Sequence, residues 1–154
     1  MEVFREDVAA LLPHLRAFAH SLTARDRQLA DDIVHDTIMN ALRAQHKFTP
    51  GTNLKAWLFT ILRNRFKSVI VRKHVTAEVG DDDLDQQHWV APEQESRIEI
   101  LAFKRAFKTL SRVHREVLIL AVVHGLPCER IAEICGCELG TVKSRVNRAR
   151  ASLK

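Results

Sequence analysis

The chain has 154 residues, 46% of them hydrophobic and 28% charged, which is enough apolar material for packed cores and excludes wholesale disorder. That length makes one ordinary domain or two small ones. A formal net charge of +5 points to a polyanionic partner, and since no run of 18 apolar residues occurs, no membrane insertion is expected.

Five Gly and four Pro are few for this length, and no segment alternates apolar and polar residues between turn signals. An all-α fold is therefore expected. The N-terminal "MEVFREDVAALLPHLR" carries acids where a secretory leader needs a basic start, so the expected location is cytoplasmic.

Ser21 and Thr23 are candidate caps for a helix starting near Arg25. Its apolar stripe runs through Leu29, Ile33, Ile38 and Leu42, with Asp36 interposed. The other side shows Asp31, Asp32, His35, Asp36 and Asn40. An acidic face on a basic unit suits a protein partner better than DNA, although a merely solvated face fits the same residues.

"HKFTPGTN" comes next as a loop punctuated by Pro50 and Gly51, with Thr52 or Asn53 as the next cap. The helix "LKAWLFTILRNRFKSVIVRK" is expected to bury Leu54, Leu58, Ile61 and Leu62 and to present Lys55, Arg63, Asn64 and Lys67. Trp57 fits the core better than a base-stacking role. A loop beside a basic helix can hold a splayed base, because single strands are bound by pockets and a positive track.

Charge then divides the chain. Residues 1–77 hold 12 Lys and Arg against 7 Asp and Glu, residues 78–95 none against 7, and residues 96–154 12 against 5. The middle strip, "EVGDDDLDQQHWVAPEQE", has Gly80 and Pro92 and no helical period, and reads as an acidic linker between two small helical domains. A basic unit at either end allows two contacts with phosphates, each releasing counterions.

Cys128, Cys135 and Cys137 are spaced C-x6-C-x-C, without the paired spacing and fourth ligand of a tetrahedral zinc site. They read as reduced thiols packed as small apolar residues. No metal and no cofactor is expected. Nor is an enzyme: the chain has no nucleophile–base set, Gly-rich phosphate loop or evident pair of catalytic carboxylates.

The C-terminal unit carries the sharpest signal. "SRVHREVLILAVVHGL" has a capping Ser111, a dense apolar run and a stop at Gly125. "PCERIAEICG" starts at Pro127 and ends at Gly136, and another helix begins near Glu138. Two short helices joined by a tight Gly turn form a helix-turn-helix. In the second, Leu139, Val142, Val146, Ala149 and Leu153 form one apolar stripe. At 100° per residue, Thr141, Ser144, Asn147 and Arg148 fall opposite, flanked by Lys143, Arg145 and Arg150. Arg forks onto guanine, Asn onto adenine, and Ser accepts either base edge, whereas the flanking cations suit phosphates.

"LADDIVHDTIMNAL", "FTPGTNLKAWLFTILRNRFKSVIVRK" and "REVLILAVVHGLPCERIAEICGCELGTVKSRVNRARASL" resemble, in order and spacing, regions 2 and 4 of small sigma-70-family factors of the extracytoplasmic-function type. The stretch "ICGCELGTVKSRVNRAR" is most similar to the general-stress-response branch. The resemblance implies a bacterial transcription initiation factor that binds core RNA polymerase and promoter DNA under the control of an anti-sigma factor. By the same resemblance residues 1–77 are region 2, residues 78–95 the linker and residues 96–154 region 4. Asp32, His35, Asp36 and Asn40 fall where such factors dock on core polymerase, His35 standing where Gln is more usual. Phe48, Thr49, Gly51, Thr52 and Asn53, with Lys55, Arg63, Asn64 and Lys67, fall where the minus-10 strand is opened and held. Thr141, Lys143, Ser144, Arg145, Asn147, Arg148 and Arg150 fall on the helix that reads the minus-35 duplex. The acidic linker resembles the segment threaded through polymerase toward the RNA exit path.

Overall fold

The structure, a computed structural model, describes residues 2–23, 26–76 and 97–153. The predicted linker at 78–95 lies outside the described residues. Those residues form eight helices with no strand among them.

The first unit comprises α1 (Glu2–Ala10), α2 (Leu12–Thr23), α3 (Arg27–Arg43) and α4 (Leu54–Thr76). Pro13 sits in the first turn of α2, where its missing N–H costs no hydrogen bond. Leu15, Phe18, Ala19 and Leu22 recur on one face of this helix and are buried. The structure corrects the predicted caps. Ser21 and Thr23 lie inside α2, and their hydroxyls donate back to the carbonyls of Phe18 (2.6 Å) and Ala19 (3.0 Å). The cap of α3 is Asp26, whose Oδ1 accepts from the Leu29 amide at 2.9 Å.

The core face of α3 also differs from the expected stripe. Ile33 is buried as predicted, but its buried companions are Ala30, Val34, Thr37 and Ala41, while Leu29, Ile38 and Leu42 are half-buried at the margin. Small residues bring α3 close to both α2 and α4, and Thr37 donates to the Ile33 carbonyl at 2.7 Å, so its buried hydroxyl has a partner.

Asn53 caps α4, with Oδ1 accepting from the Ala56 amide at 3.0 Å. This helix buries Leu58 and Leu62 as expected, and Ala56, Phe59 and Phe66 besides; Leu54 and Ile61 are only half-buried. It meets α2 and α3 on one side and the second unit on the other, so its buried residues do not fall on a single stripe. Phe59 crosses Phe18 edge to face, with centroids 4.6 Å apart. Burying each such ring contributes about 2–3 kcal/mol.

The second unit comprises α5 (Arg97–Thr109), α6 (Arg112–Leu118), α7 (Cys128–Cys135) and α8 (Leu139–Ser152). Ser111 caps α6 as predicted, accepting from the His114 amide at 3.3 Å. The helix runs on through a π turn at Ile119–Val123 and stops at Gly125. Gly136 ends α7 at φ +66°, a left-handed conformation that costs an ordinary residue about 1 kcal/mol or more.

Val142, Val146 and Ala149 of α8 are buried and Leu139 and Leu153 half-buried, which is the expected stripe. Phe107, Leu110, Leu118, Ile119 and Ala149 form a satellite cluster beneath α5. Val117, Leu120, Ile131, Ile134, Val142 and Val146 are continuous with the core of the first unit. The two units therefore pack on each other, chiefly through α4 and α7.

Candidate nucleic-acid interface

α7, the turn at Gly136–Glu138 and α8 form the predicted helix-turn-helix. The Cys137 amide bonds to the Ala132 carbonyl at 3.1 Å, which tightens the turn after Gly136. With its apolar stripe packed inward, α8 exposes Lys143, Ser144, Asn147, Arg148 and Arg150. Thr141 and Arg145 are half-buried at the edge, and the Arg145 Nη1 lies 3.8 Å from the Cys137 thiol. Past Glu138 the helix carries no acid, so its outer face is a donor-rich, positive strip of a width suited to a major groove.

The loop before α4 is the second candidate contact. Thr49, Gly51 and Thr52 are exposed, and the Thr52 hydroxyl donates to the Thr49 carbonyl at 2.6 Å. Gly51 takes φ +88°. Phe48 is half-buried with its ring 5.2 Å from Trp57 and 5.9 Å from Phe4. Trp57 thus belongs to an aromatic cluster that braces the loop from behind, consistent with its expected packing role.

The four polar residues expected on the surface of α4 divide. Asn64 and Lys67 are exposed. Lys55 and Arg63 are turned into the seam between the units instead. The Lys55 ammonium donates to the His124 carbonyl at 2.7 Å, and burial lowers its pKa. Arg63 places Nε on the Glu116 carboxylate, with Nη2 3.4 Å from the other carboxylate oxygen and Nη1 donating to the Cys135 carbonyl at 3.3 Å. Burial opposes its charge, but the Glu116 hydrogen bond and negative charge outweigh that and raise its pKa.

Nothing local in the sequence announces Glu116 and His124, since their partners lie 53 and 69 residues away. The His124 ring is packed edge-on to Phe59 at 4.8 Å and near Phe18 and His14. Burial, then the charges of Lys55 and His14, lower its pKa to about 4. The Arg112 guanidinium lies over the Phe66 ring at 5.2 Å and adds a cation–π contact across the same seam. Cys135 is buried beside it, its thiol pushed up to about 12 chiefly by burial, so it is an inert packing residue.

On the acidic face of α3, Asp32, His35 and Asn40 are exposed. Asp36 is half-buried and accepts from Arg65 Nε of α4 at 2.9 Å. A further surface was not expected from the sequence: an apolar groove of about 150 Å³ between α5 and the π turn, lined by Phe103, Phe107, Leu118, Ile119, Val122 and Val123.

Residues 8–75 match the family Sigma-70 region 2, and residues 100–153 match Sigma-70, region 4. The ECF RNA polymerase sigma factor EcfG of Rhodopseudomonas palustris is 45% identical over 150 residues, which cover 97% of this chain and 82% of that protein. The chain belongs to the ECF group of sigma-70 factors. The fold of this sigma factor is also similar to that of RpoE from Bartonella quintana, solved with the anti-sigma factor NepR, at 41% identity and a TM-score of 0.79, covering 99% of this chain and 95% of that one. CnrH, solved with the cytosolic domain of CnrY, is 26% identical with a TM-score of 0.67, covering 99% and 85%. The helix-turn-helix in this sigma factor falls within the region 4 match and the loop before α4 within the region 2 match.

Proposed function

We propose that this sigma factor binds core RNA polymerase in the cytoplasm and addresses it to promoters with separate minus-35 and minus-10 elements, performing no covalent chemistry itself. The acid-free outer face of α8 carries this reading. In the duplex, Ser144, Asn147 and Arg148 meet base edges while Lys143, Arg145 and Arg150 hold phosphates, with Thr141 at the margin. The minus-10 strand lies against Phe48–Asn53 and along α4, where Lys55, Arg63, Asn64 and Lys67 supply positive charge and hydrogen-bond donors. Asp32, His35, Asp36 and Asn40 dock on polymerase. Residues 1–77 and 96–154 act as regions 2 and 4, and the acidic 78–95 strip spans the distance between their two DNA elements.

Neither element needs to be bound tightly. A few base contacts worth about 1–3 kcal/mol each become selective when polymerase fixes their spacing. The similarity to RpoE solved with NepR and CnrH solved with CnrY supports control by an anti-sigma factor, and the resemblance of "ICGCELGTVKSRVNRAR" to the general-stress-response branch supports a role in that response.

Run-off transcription from a genomic pool of promoter fragments, with core polymerase and with or without this chain, tests the reading. New transcripts that require both components are expected. Core binding without transcripts turns the reading to a mimic that sequesters an inhibitor, and duplex binding without polymerase turns it to a stand-alone regulator.

A further inference from the structure

Helix α1 turns two apolar side chains inward, one turn apart. Val8 is buried in the core of the first unit and Phe4 is half-buried, while the other side chains from Glu2 to Ala10 are exposed. A helix of this length does not hold itself in water, where even about 12–15 residues are marginal. The place of α1 therefore depends on where Phe4 and Val8 dock. Val8 covers the core, whereas Phe4 sits at the core margin and turns its ring to the loop before α4. That ring stands 5.9 Å from Phe48 and, edge to face, 6.1 Å from Trp57, which are themselves 5.2 Å apart. In the loop, Thr49, Pro50, Gly51 and Thr52 are exposed, and the Thr52 amide and hydroxyl both bond to the Thr49 carbonyl inside it, at 3.3 and 2.6 Å. At its ends Asn53 caps α4 and Phe48 enters the ring cluster, so the cluster sets where the loop begins.

We propose that Phe4 is a positioning residue for capture of a minus-10 base: wedged against Phe48 and Trp57, it fixes the Phe48 ring and the loop behind it in the geometry that receives an unstacked base. What the loop binds rests on the sigma-factor reading. The physical basis is preorganisation. Stacking favours a bound base fully only when its platform is already ordered, because otherwise the ordering of ring and loop is charged against binding. Three mutually tilted rings order one another, and with Phe4 removed Phe48 keeps a single ring neighbour. Phosphates, by contrast, are held by cations elsewhere on the surface, to which Phe4 is indifferent. Phe4 thus governs the part of strand affinity that depends on bases and leaves the part that depends on charge.

The test uses the full chain as wild type, Phe4→Ala and Phe4→Tyr, with helix content and melting temperature checked by circular dichroism. Fluorescence anisotropy at low salt reads binding of labelled single-stranded 20-mers of dA, dC, dT and alternating dT-dG, each against a 20-mer of abasic sites that keeps the phosphates and lacks the bases. Wild type is expected to bind at least one base-bearing strand more tightly than the abasic one. In Phe4→Ala that ratio is expected to fall roughly fivefold with abasic affinity unchanged, and Phe4→Tyr, which keeps a ring, is expected to hold the wild-type ratio. A residue that only supports the fold would lower the melting temperature or weaken both kinds of strand together. An unchanged ratio in Phe4→Ala, a parallel loss on the abasic strand, failure of Phe4→Tyr to keep the ratio, or no base preference in wild type overturns the proposal. Absence of run-off transcripts with the wild type overturns the sigma-factor reading by itself, while the strand ratios still decide what Phe4 does.

Discussion

Arg63 and Glu116, 53 residues apart in sequence, meet across the seam between the two units with two guanidinium nitrogens directed at one carboxylate. Both side chains are largely shielded from solvent, so removing one strands the other in a poorly hydrated site. A double-mutant cycle with Arg63→Met and Glu116→Gln is expected to give a coupling energy of about 1–3 kcal/mol in urea unfolding. Additive single effects would mean that the two side chains do not form a pair in solution.

His124 gives the seam a pH dependence. Its imidazole is buried against Phe59 and Phe18, with both ring nitrogens lacking a hydrogen-bond partner among the described residues. Burial, then Lys55 and His14, hold its pKa near 4 against an ordinary 6.5. The folded state thus binds fewer protons than the unfolded one between these values. The stability tied to neutral His124 is present above about 6.5 and is lost as the pH falls toward 4. Between pH 7 and pH 5 the wild type is expected to lose about 1–2 kcal/mol more than His124→Phe in urea unfolding. Equal losses in the two proteins would show that another group sets the slope.

What was legible in the sequence was what local chemistry decides. The Ser111 cap, the Gly125 and Gly136 stops and the α8 stripe each depend on residues within a turn or two, and they stand where expected. The start of α3 did not, because Ser21 and Thr23 are as able to bond back into α2 as to cap the next helix, and Asp26 is closer to that helix. Its core face was misjudged because Ala30 and Ala41, not the bulkier Leu29 and Leu42, sit where α2 and α4 approach closely. Phe59 and Phe66 escaped for a related reason: a helix packed on two sides has no single apolar stripe. The seam depends on pairs that only the fold brings together, and no periodicity encodes that Lys55 meets residue 124 or that Arg63 meets residue 116.

Asp32 lies exposed on α3, where its side chain points to solvent rather than into the packing of the bundle. Truncation at such a site changes stability by no more than about 0.5 kcal/mol. If the acidic face docks on polymerase, Asp32→Ala is expected to weaken core binding roughly three- to tenfold at low salt, with less effect as salt screens the contact. Binding to minus-35 duplex by the same variant stays unchanged. Wild-type core affinity in this variant, measured by anisotropy titration, would place the docking surface elsewhere.

Arg148 provides the cleanest separation of recognition from folding. It is exposed on the outer face of α8, one turn beyond Ser144 and next to Asn147, and its backbone carbonyl accepts from the Ser152 hydroxyl at 3.0 Å whatever the side chain. Arg148→Ala therefore keeps the helix and its packing. If it reads a guanine, as proposed, it is worth about 1–3 kcal/mol of discrimination. The variant is expected to lose roughly 5- to 150-fold in affinity for its minus-35 duplex and to relax preference at one base pair, with core binding and melting temperature unchanged. Lys143→Ala, by contrast, is expected to weaken all sequences alike and to reduce the salt slope by about one. A uniform loss across sequences in Arg148→Ala would move that residue from base edge to phosphate, and a parallel fall in core affinity would remove it from the DNA interface altogether.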